Sequence, residues 1–134
     1  MMDITSFSFE QRQAMSVTRI VKAIFPGTTN HHNTLFGGQA LSWMDEAAFI
    51  AATRFCRKSL VTVSTDRIDF KEPIPAGTFV ELVAKVVRVG RTSLTVKVDI
   101  CIENMYCDGQ HQAISGEFKF VAIDEQRKPT PVME

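Results

Sequence analysis

The spacing of apolar and polar residues predicts one long α-helix from Gly37 or Gly38 to about Cys56. Placed at steps of about 100° per residue, the apolar positions of this segment form one broad arc. The arc contains Ala40, Leu41, Met44, Ala47, Ala48, Ala51 and Phe55, and a narrow polar sector contains Gln39, Ser42, Glu46 and Thr53. A helix that is apolar over most of its circumference must be covered by other elements of the fold.

The rest of the chain shows the period of two that is typical of β-strands. The predicted strands are Ser16–Phe25, Leu60–Phe70, Phe79–Val89, Arg91–Ile102 and His111–Ile123, and the turn signals between elements are Pro26-Gly27, Pro73–Gly77, Gly90-Arg91 and Asp108-Gly109. The first fifteen residues receive no assignment. The tail, Asp124–Glu134, contains Pro129 and Pro131 and is expected to be frayed.

The order of a strand, a long helix and four further strands predicts an α+β fold of the hotdog type, in which an antiparallel sheet wraps around one central helix. We expect a single domain over residues 1–134, with its core at about 15–123. Such a sheet leaves an edge strand exposed, and a second copy of the chain can cover it. A homodimer is therefore expected. Assembly beyond the dimer is left open, and a hexamer of three dimers is one alternative.

Composition and charge narrow the possible functions. The net charge is zero at pH 7, so no basic excess indicates a nucleic-acid partner. No apolar run is long enough to span a membrane, and Met1–Ser6 lacks the basic and apolar segments of a secretion signal. Cys56, Cys101 and Cys107 form no disulfide framework and are expected to be reduced thiols. These features predict a soluble protein of the cytoplasm without a membrane partner.

The start of the long helix carries the candidate chemistry. A polar loop rich in Asn and His, residues 30–36, leads directly into Gly37-Gly38. Glycines let a ligand approach the backbone closely, and the unpaired N–H groups of a helix start favour developing negative charge. Asp45 lies two turns further on, at the edge of the apolar arc, whereas Glu46 falls in the polar sector. We expect Asp45 to be partly desolvated and within reach of whatever the helix start holds, as an activated carbonyl substrate requires.

Three stretches of sequence, in register with one another, match a known family. They are Asn30–Gly38 continued by Trp43–Ala48, then Asp66–Pro73 followed by Gly77, and finally Val87–Ser93. Through these motifs the chain resembles the acyl-CoA thioesterases of the hotdog fold, in particular the cytosolic acyl-CoA thioester hydrolases that include bacterial broad-range enzymes. The resemblance extends over about residues 15–123, in the same order and spacing.

The resemblance implies an enzyme that hydrolyses acyl-CoA to a free carboxylic acid and coenzyme A by carboxylate-assisted attack of water. It implies that Asp45 is the catalytic carboxylate, that Asn30 matches the family's catalytic asparagine, and that the amides of Gly37 and Gly38 polarise the carbonyl. In related enzymes the loop before the helix faces the helix of the partner chain, so the resemblance also implies a site shared by two chains, with Asn30 from one and Asp45 from the other. The residues that match the coenzyme A-binding turn are Arg88, Gly90, Arg91, Thr92 and Ser93. No metal or cofactor is implied, because coenzyme A enters only as part of the substrate and product.

Simpler interpretations compete for several of these residues. By spacing alone, Asn30 is a loop or capping residue. Arg88 and Arg91 are commonly solvated charges at a sheet end, although the glycine and hydroxyls beside them suit a phosphate group. Cys56 is expected to pack in the core, because no base marks it as a nucleophile. The adjacent pair His31-His32 does not have the spacing of metal ligands, and whether either one shares proton transfers is left open.

Two other functions are compatible with the same fold, because fold alone does not decide function. One is a non-catalytic acyl-CoA binding or sensing module, which would need neither Asn30 nor Asp45. The other is a dehydratase or hydratase that acts on β-hydroxyacyl chains. Related enzymes of that kind combine a catalytic histidine with an acid on the central helix, and no histidine lies in residues 37–56.

Overall fold

A computed structural model describes residues 4–133, and these form two helices and one antiparallel sheet of five strands. The elements are α1 (Phe9–Ser16), β1 (Thr18–Ala23), α2 (Gly37–Cys56), β2 (Ser59–Phe70), β3 (Thr78–Val89), β4 (Ser93–Asn104) and β5 (Gln110–Ile123), with a short 3₁₀ turn at Pro26–Thr28. Residues 1–3, which belong to the secretion-signal prediction, and Glu134 of the tail lie outside the described residues. The hotdog arrangement predicted from the order of elements is confirmed.

The sheet has the strand order β1-β3-β4-β5-β2, with every neighbouring pair antiparallel. The alternating apolar positions of the three central strands, β3, β4 and β5, face α2 and are buried with it, so the central helix and the sheet share one core. The largest fully buried side chains include Met44, Phe55, Leu82, Ile100, Phe118 and Phe120. Burying each of them contributes about 1.5–3 kcal/mol. None of the helices in residues 4–133 has the length and apolar character needed to cross a membrane.

Helix α1 is absent from the predictions, and the predicted strand from Ser16 begins two residues later, at Thr18. The Ser8 side chain accepts a hydrogen bond from the Gln11 amide, and the Gln11 side chain accepts one from the Ser8 amide. This capping box is a local signal for a helix start. The ring of Phe9 then packs edge-on against Phe55 of α2 at 5.7 Å between centroids.

The prediction that the tail is frayed is wrong for its described part. Val132 is fully buried, and its amide donates a 2.9 Å hydrogen bond to the carbonyl of Arg91. The Thr130 amide donates to the carbonyl of Ala122 on β5 at 2.8 Å. Pro129 and Pro131 have no amide donor, but the residue after each proline keeps its own, and both of these amides are bonded, so the tail is held against β5 and the β3–β4 turn.

Strand β2 lies at one edge of the sheet and is irregular. Its pairing with β5 shifts register between Thr62 and Ser64 and again between Asp66 and Asp69, where Arg67 has a φ of 53°. The second irregularity brings the side chain of Ile68 over Gly116 of β5. A Cβ added to Gly116 would lie 2.2 Å from the Cδ1 atom of Ile68, so only glycine leaves room for this contact.

Replacing Gly116 by alanine should therefore destabilise the fold by about 1–3 kcal/mol through overpacking. Denaturant midpoints measure the change. Adding Ile68→Val removes the clashing methyl group and should recover most of the loss, which a double-mutant cycle quantifies. Gly27→Ala is the matched control, because no atom lies within 4 Å of its added Cβ. An equal loss in both alanine variants would contradict the steric explanation.

Candidate active site

The start of α2 presents open backbone donors. Gly37 and Gly38 are exposed, and the preceding Phe36 supplies no side-chain hydrogen bond to the first turn. The first amides of a helix have no partner within it, so these N–H groups point outward. A Cβ added to Gly38 would meet no atom within 4 Å, so open space borders the backbone here. An oxygen atom that develops negative charge can therefore approach both amides.

The loop before α2 fixes Asn30 through its side-chain oxygen. Asn30 Oδ1 accepts hydrogen bonds from the amide of His32 at 2.9 Å, the amide of Thr34 at 3.2 Å and the Thr34 hydroxyl at 3.1 Å. The loop-residue interpretation of Asn30 is thus geometrically correct. It also orients the side chain, because an anchored oxygen leaves the Nδ2 group, with its two N–H donors, directed away from the turn. We refer to Asn30, Gly37 and Gly38 together as the donor half.

Asp45 is half-buried on α2 while Glu46 is exposed, as the helical periodicity predicts. The Thr62 hydroxyl on β2 donates a 3.1 Å hydrogen bond to Asp45 Oδ1. One carboxylate oxygen is thereby held while the other stays available to a water molecule. Thr62 is not among the residues predicted from the sequence, since a contact between a helix and an edge strand leaves no local pattern. We refer to Asp45 and Thr62 as the acid half.

The two halves are well separated within one chain. Helix α2 is continuous, so the eight residues from Gly37 to Asp45, each rising about 1.5 Å, separate the two positions by about 12 Å along the axis. A base must come within about 3 Å of the proton it removes, directly or through one water. Asp45 is therefore distant from the helix start of its own chain.

The predicted coenzyme A-binding residues gather at the β3–β4 turn. The Gly90 amide donates to the carbonyl of Ser93 at 2.8 Å, and a Cβ on Gly90 would lie only 3.0 Å from the Ser93 hydroxyl. The Thr92 carbonyl accepts from Ala122 at 2.9 Å, so the turn is tied to β5. Arg91 is exposed, and no salt bridge involves its guanidinium in the part of the chain that is described.

Arg88 has a different environment from Arg91. It pairs with Thr95 across β3 and β4, on the face of the sheet opposite α2, and its guanidinium forms an ion pair with Glu117. A polar cavity of about 250 Å³ lies here, lined in part by Ser64, Asp66 and Lys119. The structure thus brings four of the five predicted residues together in the turn and places Arg88 beside it with its charge already paired.

The remaining candidates have structural explanations. Cys56 is buried, and desolvation raises the pKa of its thiol, which confirms the packing interpretation. The rings of His31 and His32 lie 3.8 Å apart on the exposed surface of the loop. No group of three or more potential metal ligands occurs among residues 4–133.

The fold and the site define a thioesterase of the hotdog class, and known proteins agree with this. Residues 32–107 match the family model described as the Thioesterase superfamily. The Bacillus subtilis protein named uncharacterized acyl-CoA thioester hydrolase YkhA is 40% identical over 117 residues, which cover 86% of this chain and 68% of that protein. This chain belongs to the Thioesterase superfamily.

Solved structures give the same result. An acyl-CoA hydrolase from Staphylococcus aureus, determined with butyryl coenzyme A, coenzyme A and coenzyme A disulfide, matches with a TM-score of 0.86 and 36% identity over 90% of this chain and 73% of that one. Solved variants of that enzyme replace an aspartate, a threonine or an asparagine by alanine. A hexameric acyl-CoA thioesterase matches with a TM-score of 0.86 and 34% identity, over 90% of this chain and 77% of that one.

Replacing Thr62 by valine should lower kcat about tenfold with little change in KM. Valine keeps the shape of the side chain but removes the donor to Asp45, and a hydrogen bond to a charged group contributes about 1.5–3 kcal/mol, less where it is exposed. Steady-state hydrolysis of an acyl-CoA measures the effect. Thr65→Val, an exposed position on the same strand, is the control and should remain active. Full activity of Thr62→Val would show that Asp45 needs no such donor.

Proposed function

We propose that this acyl-CoA thioester hydrolase builds each active site from the donor half of one chain and the acid half of a second copy. Asp45 accepts a proton from a water molecule, and the water oxygen bonds to the thioester carbonyl carbon. The amides of Gly37 and Gly38 and the Nδ2 group of Asn30 stabilise the carbonyl oxygen as it becomes negative. The carbon–sulfur bond then breaks, Asp45 returns its proton to the coenzyme A sulfur, and the carboxylic acid and coenzyme A leave.

The separation along α2 is the observation that carries this proposal. A water activated by Asp45 must lie about 3 Å from the carbonyl carbon, whose oxygen must lie about 3 Å from the helix-start amides. Gly37 and Asp45 lie about 12 Å apart along the axis of one helix. One carbonyl group therefore cannot contact the helix-start amides and the water held by Asp45 of the same chain at once. A second copy related by a two-fold axis supplies the missing half to both sites at once.

The solved variants of the S. aureus relative support these residue roles. The asparagine and the aspartate replaced there lie 15 positions apart in that chain, and the aspartate and the threonine lie 17 positions apart. Asn30, Asp45 and Thr62 have the same two spacings in this chain. The three residues that form or hold the two halves here are therefore the equivalents of the residues altered in that enzyme.

The edge of the sheet offers the second copy a place to bind. Val63 follows Thr62 on β2 and is 49% exposed, and Phe49 lies one turn after Asp45 and is 46% exposed. Apolar side chains beside an unpaired edge strand favour association with another chain. We propose a homodimer as the catalytic unit, with three dimers forming a hexamer such as the one known for a relative.

We further propose that the β3–β4 turn binds the phosphates of coenzyme A, chiefly through Arg91, Thr92 and Ser93. The exposed guanidinium, the hydroxyls and the approachable backbone at Gly90 together suit an anion. Coenzyme A then serves as part of the substrate, and no cofactor takes part. A location in the cytoplasm is supported by the free thiols of Cys56, Cys101 and Cys107.

Mixing two inactive variants tests the shared site. Asp45→Asn removes the base and should lower kcat about 10²–10⁴-fold. Asn30→Ala should also lower kcat strongly. Co-refolding the two variants in equal amounts should restore about a quarter of wild-type activity, because half of the dimers are mixed and each mixed dimer has one intact site. The measurement is thiol release from an acyl-CoA, with each variant refolded alone for comparison.

The matched control mixes Asp45→Asn with Thr62→Val. These two residues belong to the same half, so every mixed dimer still carries one lesion in each acid half and no recovery should occur. Absence of recovery in the Asn30 and Asp45 mixture would remove the shared site but leave the thioesterase. Normal kcat in Asp45→Asn would instead contradict the assignment of the base and favour an acyl-CoA binding module.

Replacing Arg91 tests whether the β3–β4 turn binds the phosphates of coenzyme A. Arg91→Ala should raise KM for acyl-CoA and weaken its dependence on salt, because fewer charge pairs are left to be screened. Hydrolysis of a short acyl-pantetheine thioester, which lacks the nucleotide, should change little. Lys97→Ala removes an exposed cation from β4 outside the turn and should leave both substrates unaffected. Equal losses of Arg91→Ala on both substrates would contradict phosphate binding.

A further inference from the structure

An apolar cavity of about 120 Å³ lies beside the start of α2. Its floor is formed by Leu35, Ala40, Ile74 and Ile114, all of them buried. Its wall toward solvent includes Phe70, the last residue of β2, which is 51% exposed. Concave sites lined mainly by apolar and aromatic side chains are typical of small-molecule binding.

The same cavity is continuous with the donor half. Gly37 is one of the lining residues, and a Cβ added to it would lie 3.7 Å from the Phe70 ring. The ring therefore lies over the backbone that receives the carbonyl oxygen. The cavity therefore adjoins the helix-start backbone at Gly37.

We propose that the cavity holds the acyl chain of the substrate and that Phe70 limits the length of chain the enzyme prefers. This inference rests on the proposed function, since it places the thioester carbonyl at Gly37 and Gly38. Phe70 is then a specificity-determining residue. It contacts the substrate but takes no part in the proton transfers.

The volume of the cavity defines the class of substrate. A cavity of about 150 Å³ accommodates benzene, which corresponds to about 25 Å³ per carbon. At that packing, 120 Å³ accommodates four to five carbons beyond the carbonyl group. Longer chains must displace the Phe70 ring or leave their remaining methylene groups in water, where they contribute no binding.

The one acidic side chain of the lining adds a second selectivity. The carboxylate of Glu72 lies 3.0 Å from the His111 ring nitrogen at the rim of the cavity. A chain that ends in its own carboxylate would bring a second negative charge to apolar walls beside Glu72, which costs binding. The preferred substrate is therefore a short neutral acyl group rather than a dicarboxylic one of the same length.

A panel of acetyl-, butyryl-, hexanoyl-, decanoyl- and succinyl-CoA tests the proposal. Wild-type kcat/KM should rise about fourfold per methylene up to butyryl or hexanoyl and then level off. Succinyl-CoA should be hydrolysed more slowly than butyryl-CoA. In Phe70→Ala the rise should continue to decanoyl-CoA, so that the decanoyl-to-butyryl ratio increases at least about tenfold.

Phe25→Ala is the matched control, because it removes the same side chain from an exposed position that does not line the cavity. Its ratio should equal that of the wild type. Affinities for S-butyl and S-decyl coenzyme A, which cannot be hydrolysed, give the same ratio without turnover. An unchanged ratio in Phe70→Ala, or the same shift in Phe25→Ala, would overturn the inference. A wild type that binds these thioethers but hydrolyses no acyl-CoA would contradict the proposed function instead.

Discussion

The regular rise of α2 is the constraint on which the rest of the site depends. A continuous helix places Gly37 and Asp45 about 12 Å apart along its axis, and the sheet packed on it prevents any bend that would bring them together. The helix therefore holds Gly37 and Asp45 in fixed positions but cannot bring them together. Under the proposed shared site, a second copy supplies the missing half, and the exposed edge of the sheet offers that copy a place to bind.

The elements that the sequence predicts well are those in which buried apolar residues recur every two to four positions along the chain. The apolar arc of α2 and the alternation along β3, β4 and β5 each repeat within the element, so the hotdog fold follows from them with bounds accurate to a few residues. The partial burial of Asp45 against the exposure of Glu46 was predictable for the same reason. The burial of Asp45 and the exposure of Glu46 depend only on the direction in which each side chain projects from the helix axis.

Features that depend on contacts between distant segments could not be predicted in this way. Helix α1 has mixed composition, and the tail is held by Val132 and by backbone bonds to Arg91 and Ala122, which no local pattern reports. The bond from Thr62 to Asp45 joins an irregular edge strand to a helix. The helical wheel gives the direction of Asp45 around the axis of α2 but not its distance along the axis from Gly37, which follows from the length of the continuous helix.

One orientation of the Asn30 side chain can serve both the structure of the loop and the proposed function. Its side-chain oxygen accepts three hydrogen bonds inside the loop, which would satisfy any capping residue. An amide side chain held by its oxygen has its nitrogen turned outward with both donors available. A serine or aspartate could close the same turn but would present no N–H group to a substrate. Under the proposed function, the turn therefore explains why an asparagine, rather than another turn-forming residue, precedes the Gly37-Gly38 helix start.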